Sequence, residues 1–231
     1  QKAIDTRDKL FSIIAHDLRS PLISISNFVQ LVSIYLRDQK FDSIQRLATD
    51  MDRKNTQVLQ LTDNLLNWAQ AQSGALRPKT EQISLKQILD ECDELYQQIA
   101  TDKQIELTMP EESGYQVIAD RNMLCTICRN LINNALKFTP RKGRIEISCF
   151  ADGQMVWVNV TDSGIGIANE KITRLFSPNK SDVLLGTEGE NSSGLGLLLC
   201  KEFIDIMNGQ IRVESEKGKG SCFSVGIPQH V

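Results

Sequence analysis

From residue 1 to about 73 the chain contains no glycine and a single proline, Pro21, while its apolar residues recur three or four apart. Leu10, Ile14, Leu18, Leu22, Ile25, Val29, Val32 and Leu36 carry that spacing, which is the spacing of one helix face. It predicts a helix from about Thr6 to Asp38, about 50 Å long at 1.5 Å per residue. After the connector Gln39-Lys40-Phe41, Asp42 reads as an N-cap with Gln45 three residues on. Ile44, Met51, Val58 and Leu65 then fall seven apart, as do Leu47, Lys54, Leu61 and Trp68, an a/d seam with one polar interruption. Gly74 is placed to end this second helix. Two long helices joined by a short turn make an antiparallel hairpin. One hairpin has a single apolar seam and little to bury it against. Two copies forming a four-helix bundle answer that need, so a homodimer is expected.

Beyond the hairpin the pattern changes. Ala75 to Ile83, with Arg77-Pro78-Lys79, reads as an interdomain linker, and Ser84 to Gln87 as a capping box opening a helix to about Ala100. Strands are expected at Ile105–Met109 and Tyr115–Ala119, a helix over Arg121–Phe138, and strands at Arg144–Phe150 and Met155–Thr161. A last helix near Leu195–Met207 precedes a hairpin, Ile211–Ser215 with Ser221–Ile227, turning around Lys217-Gly218-Lys219-Gly220. The fold class is therefore α+β: a helical hairpin over 1–74, a linker over 75–83, and over 84–231 an α/β sandwich with helices on one face of one sheet.

A length of 231 residues suits one or two domains, and 41% apolar with 24% charged residues excludes wholesale disorder. The net charge of −3 gives no electrostatic footprint for nucleic acid or an anionic membrane. The longest apolar runs, Leu197 to Cys200 among them, are only four residues, whereas a spanning helix needs about 20 residues. The chain begins at Gln1 rather than Met, so it reads as a fragment, with any membrane anchor in segments absent here. The six cysteines are scattered, as free thiols of a reducing compartment are. Cys125 and Cys128 form a C-x-x-C inside a helical pattern with no second pair, which reads as two neighbours on a buried helix face.

Four groups of residues could carry chemistry. His16 is offset from the Ile14/Leu18 seam and faces solvent; Asp17 adjoins it and Pro21 follows five residues on. A carboxylate can take the N–H of one ring nitrogen and leave the other as a nucleophile. A proline within a helix costs about 3 kcal/mol and suggests a kink put to use. Asn130, Asn134 and Lys137 lie four and three apart on one helix face. Carboxamide oxygens there suit Mg²⁺ and the lysine suits phosphate, and a merely solvated stripe fits equally well. Asp162-Ser-Gly164-Ile-Gly166 follows an apolar strand, where a buried Asp can accept from an exocyclic amine, although a plain turn has the same signature. Gly194-Leu195-Gly196 opens a helix whose amides suit phosphate oxygens, after a polar stretch over Ser177–Ser193 long enough to be a lid.

In their order and spacing these groups, with Leu175-Phe176 and the final Gly218-Lys-Gly220-Ser221-Cys-Phe223, resemble the sensor histidine kinases of two-component systems over nearly the whole chain. His16-Asp17-Leu-Arg-Ser-Pro21 is similar to the phosphoacceptor box and Asn130–Phe138 to the asparagine box. Asp162–Gly166 and Gly194–Gly196 are similar to the two glycine boxes, with Phe176 between them. The resemblance implies a dimerisation and phosphotransfer hairpin, then an ATP-binding domain of the Bergerat type. His16 would take the γ-phosphoryl group of ATP, with Asp17 as orienting base. Asn134 would hold Mg²⁺, with Asn130 and Lys137 flanking the phosphates. Asp162 would read the adenine amine with help from Ser221, and Phe138 would pack near the ring. Gly164 and Gly166 would allow close backbone approach; Gly194, Leu195 and Gly196 would receive the phosphates.

The implied partners are a second copy of the chain and a response regulator receiver domain, separate or on the same polypeptide; the implied location is the cytosolic part of a membrane-anchored sensor. Two departures stand out. Ser20 occupies a position where the family usually carries Thr or Asn, which puts phosphatase activity in question, and Ser192 stands where a further Gly is common. Related ATPases place a Glu where this chain has Asn130, a poor base, so transfer to water is disfavoured. The alternative function is a degenerate dimeric scaffold that binds nucleotide without transferring phosphate.

Overall fold

The structure, a computed structural model, describes residues 23, 25, 27–72, 76–110, 114–177, 186–188 and 195–229. The chain divides into two compact units, Gln1–Ala69 and Gln70–Val231.

Residues 27–37 form α1 in the first unit, and Phe41–Gln72 form α2, whose last three residues are counted with the second. α1 closes with Asp38 N–H on the Ile34 carbonyl and Lys40 N–H on that of Tyr35, and the turn is made at Gln39, with φ +57. Ile44 N–H already bonds the Lys40 carbonyl, so Asp42 lies within the first turn of α2 rather than at its cap. There its charge still suits the helix dipole. Ile44, Leu47, Met51, Val58 and Leu65 are half-buried, as the heptad reading requires. On α1 the stripe is corrected. Phe28, Leu31, Val32 and Tyr35 take the shielded side, whereas Val29 and Leu36 are 61% and 53% exposed. Val29 and Leu36 are seven apart and sit on one flank of the apolar face, which is wider than one seam. Gly74, expected to end α2, lies outside the described residues.

The second unit contains β1 (Thr80–Ser84), α3 (Leu85–Asp102), β2 (Glu106–Thr108), β3 (Gln116–Asp120), α4 (Arg121–Phe138), β4 (Arg144–Asp152), β5 (Met155–Asp162), α5 (Asn169–Ile172), α6 (Leu195–Ile206), β6 (Gln210–Glu216) and β7 (Gly220–Pro228). One sheet has the order β2-β4-β5-β7-β6, parallel between β2 and β4 and antiparallel elsewhere. α4 packs between α3 and α6 and against this sheet. Leu89 of α3 and Leu124, Ile127, Cys128, Leu131 and Ile132 of α4 meet Ile147, Val158, Val160, Val225 and Ile227 of the strands. These are alternate strand residues on one face of the sheet, as period-two patterning demands.

Three expectations are revised. The sandwich has a second, two-stranded sheet, because Thr80–Ser84 pairs antiparallel with β3; the end of the supposed linker is a strand. The polar, exposed start of that strand hid it, since only Ile83 is buried. The capping box at Ser84 does not form: its side chain makes no cap bond, and Leu85 N–H bonds the Tyr115 carbonyl at 3.0 Å instead. The working cap is Asp120, whose carboxylate accepts from Asn122 and Met123 N–H and, from outside the helix, Lys79 N–H at 2.8 Å. It fixes the start of α4, the helix that bears Asn130, Asn134 and Lys137. The third revision is the four-residue α5, which no pattern announced. All six cysteines are free, and Cys125 and Cys128 are both buried on α4. No helix among the described residues is long and apolar enough to cross a membrane.

Candidate functional site

β5 ends at Asp162, and register places Ser221 of β7 opposite it and Ser215 of β6 opposite Ser221. The three polar residues thus form one row across three strands. Asp162 and Ser221 are buried. Burial pushes the Asp162 carboxyl above its ordinary range, and bonds from the backbone N–H groups of Gly164 and Ser221 partly offset that rise. The Gly164 bond reaches Oδ1 at 2.8 Å. Ser215 Oγ accepts from Ile167 N–H at 2.8 Å and turns its own proton toward the Gly220 carbonyl at 2.8 Å and Ser221 Oγ at 3.0 Å. It holds Ser221 beside the carboxylate. In the sequence Ser215 is marked only by its place after Val213 on the inward side of an alternating strand.

The glycines around Asp162 are required by backbone contact. A Cβ on Gly164 would lie 2.5 Å from the Phe138 carbonyl oxygen, and one on Gly166, with φ +62, would run into that of Glu216. Ile165 N–H bonds the Phe138 carbonyl at 3.1 Å, and Gly218 N–H bonds that of Ile165 at 2.7 Å. The loop is clamped between the end of α4 and the β6–β7 turn.

Gly220 is tighter still. Its φ is +109, and a Cβ there would collide with the Asp162 carbonyl, a backbone atom that cannot step aside. Gly220→Ala is expected to destabilise the second unit by about 3 kcal/mol or more, read as a fall in the urea midpoint. Gly218→Ala meets open space and pays only for its positive φ, about 1–2 kcal/mol.

The other end of the site lies where α4 meets the start of α6. Asn130 Nδ2 donates back to the Thr126 carbonyl at 2.9 Å, leaving Oδ1 turned toward α6. A Cβ on Gly196 would stand 2.5 Å from that oxygen, so the glycine lets the two helices meet. Leu195 is buried in the first turn of α6 and anchors it, while the early amides of a helix suit anionic oxygens. Asn134 and Lys137 are half-buried on the same face of α4 as Asn130. Lys137 Nζ lies 5.4 Å from the centre of the Phe138 ring, a cation–π contact that groups both at the helix end.

Among the described residues no three His, Cys, Asp or Glu side chains gather to hold a metal. An ion here would rest on carboxamide oxygens with phosphate and water completing its shell, and that hard, neutral donor set fits Mg²⁺. The structure therefore brings together Asn130, Asn134, Lys137, Phe138, Asp162, Gly164, Gly166, Leu195, Gly196 and Ser221 within the second unit. His16, Asp17 and Gly194 lie outside the described residues, as do Ser20, Pro21 and Ser192.

Two family models match separate stretches of the chain. A family model described as "His Kinase A (phospho-acceptor) domain" matches residues 6–74. A second, "Histidine kinase-, DNA gyrase B-, and HSP90-like ATPase", matches residues 119–231. The adaptive-response sensory kinase SasA of Crocosphaera subtropica is 30% identical over 99% of this chain and 61% of its own length. Sensor histidine kinase RcsC of Escherichia coli is 29% identical over 99% of this chain and 24% of its own length. The chain thus spans less than two thirds of these relatives. Full-length ShkA in complex with AMPPNP superposes with a TM-score of 0.67 at 25% identity, over 98% of this chain and 46% of that one.

Proposed function

The chain belongs to the sensor histidine kinases, and on that premise we propose that it binds ATP in the second unit, phosphorylates His16 in the first, and passes the phosphoryl group to an aspartate of a response regulator receiver domain. The observation that carries this reading is Asp162: a buried carboxylate held by Gly164 and Ser221 N–H, at the mouth of a glycine-lined loop. Such a group accepts from an exocyclic amine and penalises a base without one. Phe138 packs near the base. The carboxamides of Asn130 and Asn134, Lys137 and the first turn of α6 face the phosphates. Asn134 would hold Mg²⁺, whose charge offsets that of the phosphate oxygens.

His16 Nε2 or Nδ1 forms the new N–P bond, the bond from the γ-phosphorus to the bridging oxygen breaks, and ADP leaves. Asp17 orients the ring and takes its proton. Phosphoryl transfer is chiefly positioning and charge neutralisation, so a rigid cradle plus a presented imidazole suffices chemically. On the same reading we place the chain as the cytosolic part of a membrane-anchored sensor. Incubation with γ-labelled ATP and Mg²⁺ tests this. Acid-labile, base-stable label on the protein supports the kinase, whereas nucleotide binding without label identifies a scaffold.

The acting form is a homodimer. Val29 and Leu36 of α1 and Leu59 and Leu66 of α2 are pairs seven apart, and both α2 residues are 57% exposed. Stripes at heptad spacing left open by a single chain are what a second copy would cover. The double variant Leu59→Asp, Leu66→Asp is expected to run as a monomer by light scattering while the unaltered chain runs as a dimer. A variant that stays dimeric would remove this face from the interface.

A further inference from the structure

An α-helix leaves its last four carbonyls without partners inside the helix. In α4 those belong to Ala135, Leu136, Lys137 and Phe138, and each finds a donor in a different place. Thr139 N–H bonds Ala135 at 3.0 Å, and Lys103 Nζ, from a buried lysine at the end of α3, bonds Leu136 at 2.8 Å. Ile165 N–H, from the Asp162 loop, bonds Phe138 at 3.1 Å. The Lys137 carbonyl is taken by Thr187, from the stretch ahead of α6. Thr187 N–H reaches it at 3.0 Å, and Thr187 Oγ1 shares its proton between that carbonyl and the Thr139 carbonyl, each at 3.1 Å. Gly186 before it is buried, and Glu188 after it pairs with Arg141 at 2.8 Å. That ion pair is largely exposed and adds little by itself.

Within the reading of this face as a nucleotide site, we propose that Thr187 is a positioning residue, a clasp that sets the last turn of α4 and so the pose of Lys137 and Phe138 toward the nucleotide. Its hydroxyl bridges the helix end and the residue beyond it, so one side chain holds the two positions between which the backbone leaves helical geometry. Without it the last turn frays. Lys137 and Phe138 then spend part of their time out of register with Asn134 and Asp162, and affinity falls by the fraction of time lost.

Thr187→Val keeps the shape and the backbone N–H and deletes the hydroxyl bonds. In the full chain it is expected to raise the ADP dissociation constant about threefold to tenfold, with Thr187→Ser restoring it. The ATP KM for autophosphorylation should rise by more than kcat falls, a split that general destabilisation does not produce. Wild-type affinity in Thr187→Val, or equal loss in both variants, overturns the proposal while leaving the nucleotide site standing. An unaltered chain that binds no ADP overturns both. If Thr187→Val does not fold, hydrogen exchange on the unaltered chain decides: ADP should slow the Thr187 and Ile165 amides together, and an unmoved Thr187 amide overturns the clasp.

Discussion

Asp162→Asn is expected to weaken ATP binding by about a hundredfold or more in calorimetry, with little change in the melting profile of the nucleotide-free chain. The asparagine keeps one oxygen for the backbone N–H groups of Gly164 and Ser221 that hold the carboxylate, so the loop stays in place. The other position becomes an N–H group. It then faces the amine of adenine, donor against donor, in a buried site where neither can turn to water. A base with a carbonyl at that ring position presents an acceptor instead. Inosine triphosphate should therefore lose much less affinity on the same substitution, and equal losses for both nucleotides would refute the assignment of Asp162.

The raised pKa of Asp162 adds a pH signature. The ionised carboxylate is the acceptor, so affinity should fall on acidification from a higher pH than an ordinary aspartate would give, burial being the main cause. The sign for stability is opposite. The native state holds this proton more tightly than the unfolded chain. Above the folded pKa the group therefore costs stability, and acidification through that pKa toward the unfolded value relieves the cost. Binding and folding should move in opposite directions over that window, as far as this group controls them.

The second large effect is at His16. His16→Ala is expected to abolish the acid-labile label, a fall of about a hundredfold or more, while ADP binding stays as in the unaltered chain. The chain has only one other histidine, His230, so the control is direct: His230→Ala should label normally. Asp17→Asn keeps the size of the side chain and removes its basicity, and should slow labelling by about a hundredfold or more without changing the residue labelled. Label persisting in His16→Ala would mean that another group receives the phosphate.

Much of the second unit was legible residue by residue. Arg121–Phe138 is a helix with the bounds its periodicity predicts, since a buried face at 3.6-residue spacing leaves few other ways to hide Leu124, Ile127, Leu131 and Ile132. Asp162-Ser-Gly164-Ile-Gly166 has the signature of a plain turn as well, and it is the burial of Asp162 and the Phe138 and Glu216 carbonyls against the glycines, supplied by the fold, that set it apart. Ser84 misled: a cap motif is local, and the carbonyl that Leu85 N–H takes belongs to Tyr115, thirty residues away in sequence and close only in the fold. Thr80–Ser84 was hidden for the same reason, because its partner strand begins at Gln116.

Helical spacing and the order of the polar clusters are properties of short stretches of chain, and they were decided by the amino acids alone. Which donor meets which carbonyl was not. Ser215 beside Ser221, Asn130 Oδ1 against Gly196 and Thr187 on Lys137 join residues between six and sixty-six positions apart. Each rests on a hydrogen bond or a near-contact accurate to a fraction of an ångström. Only strand register and helix packing set distances that finely, because periodicity says which way a side chain points and not what stands opposite it.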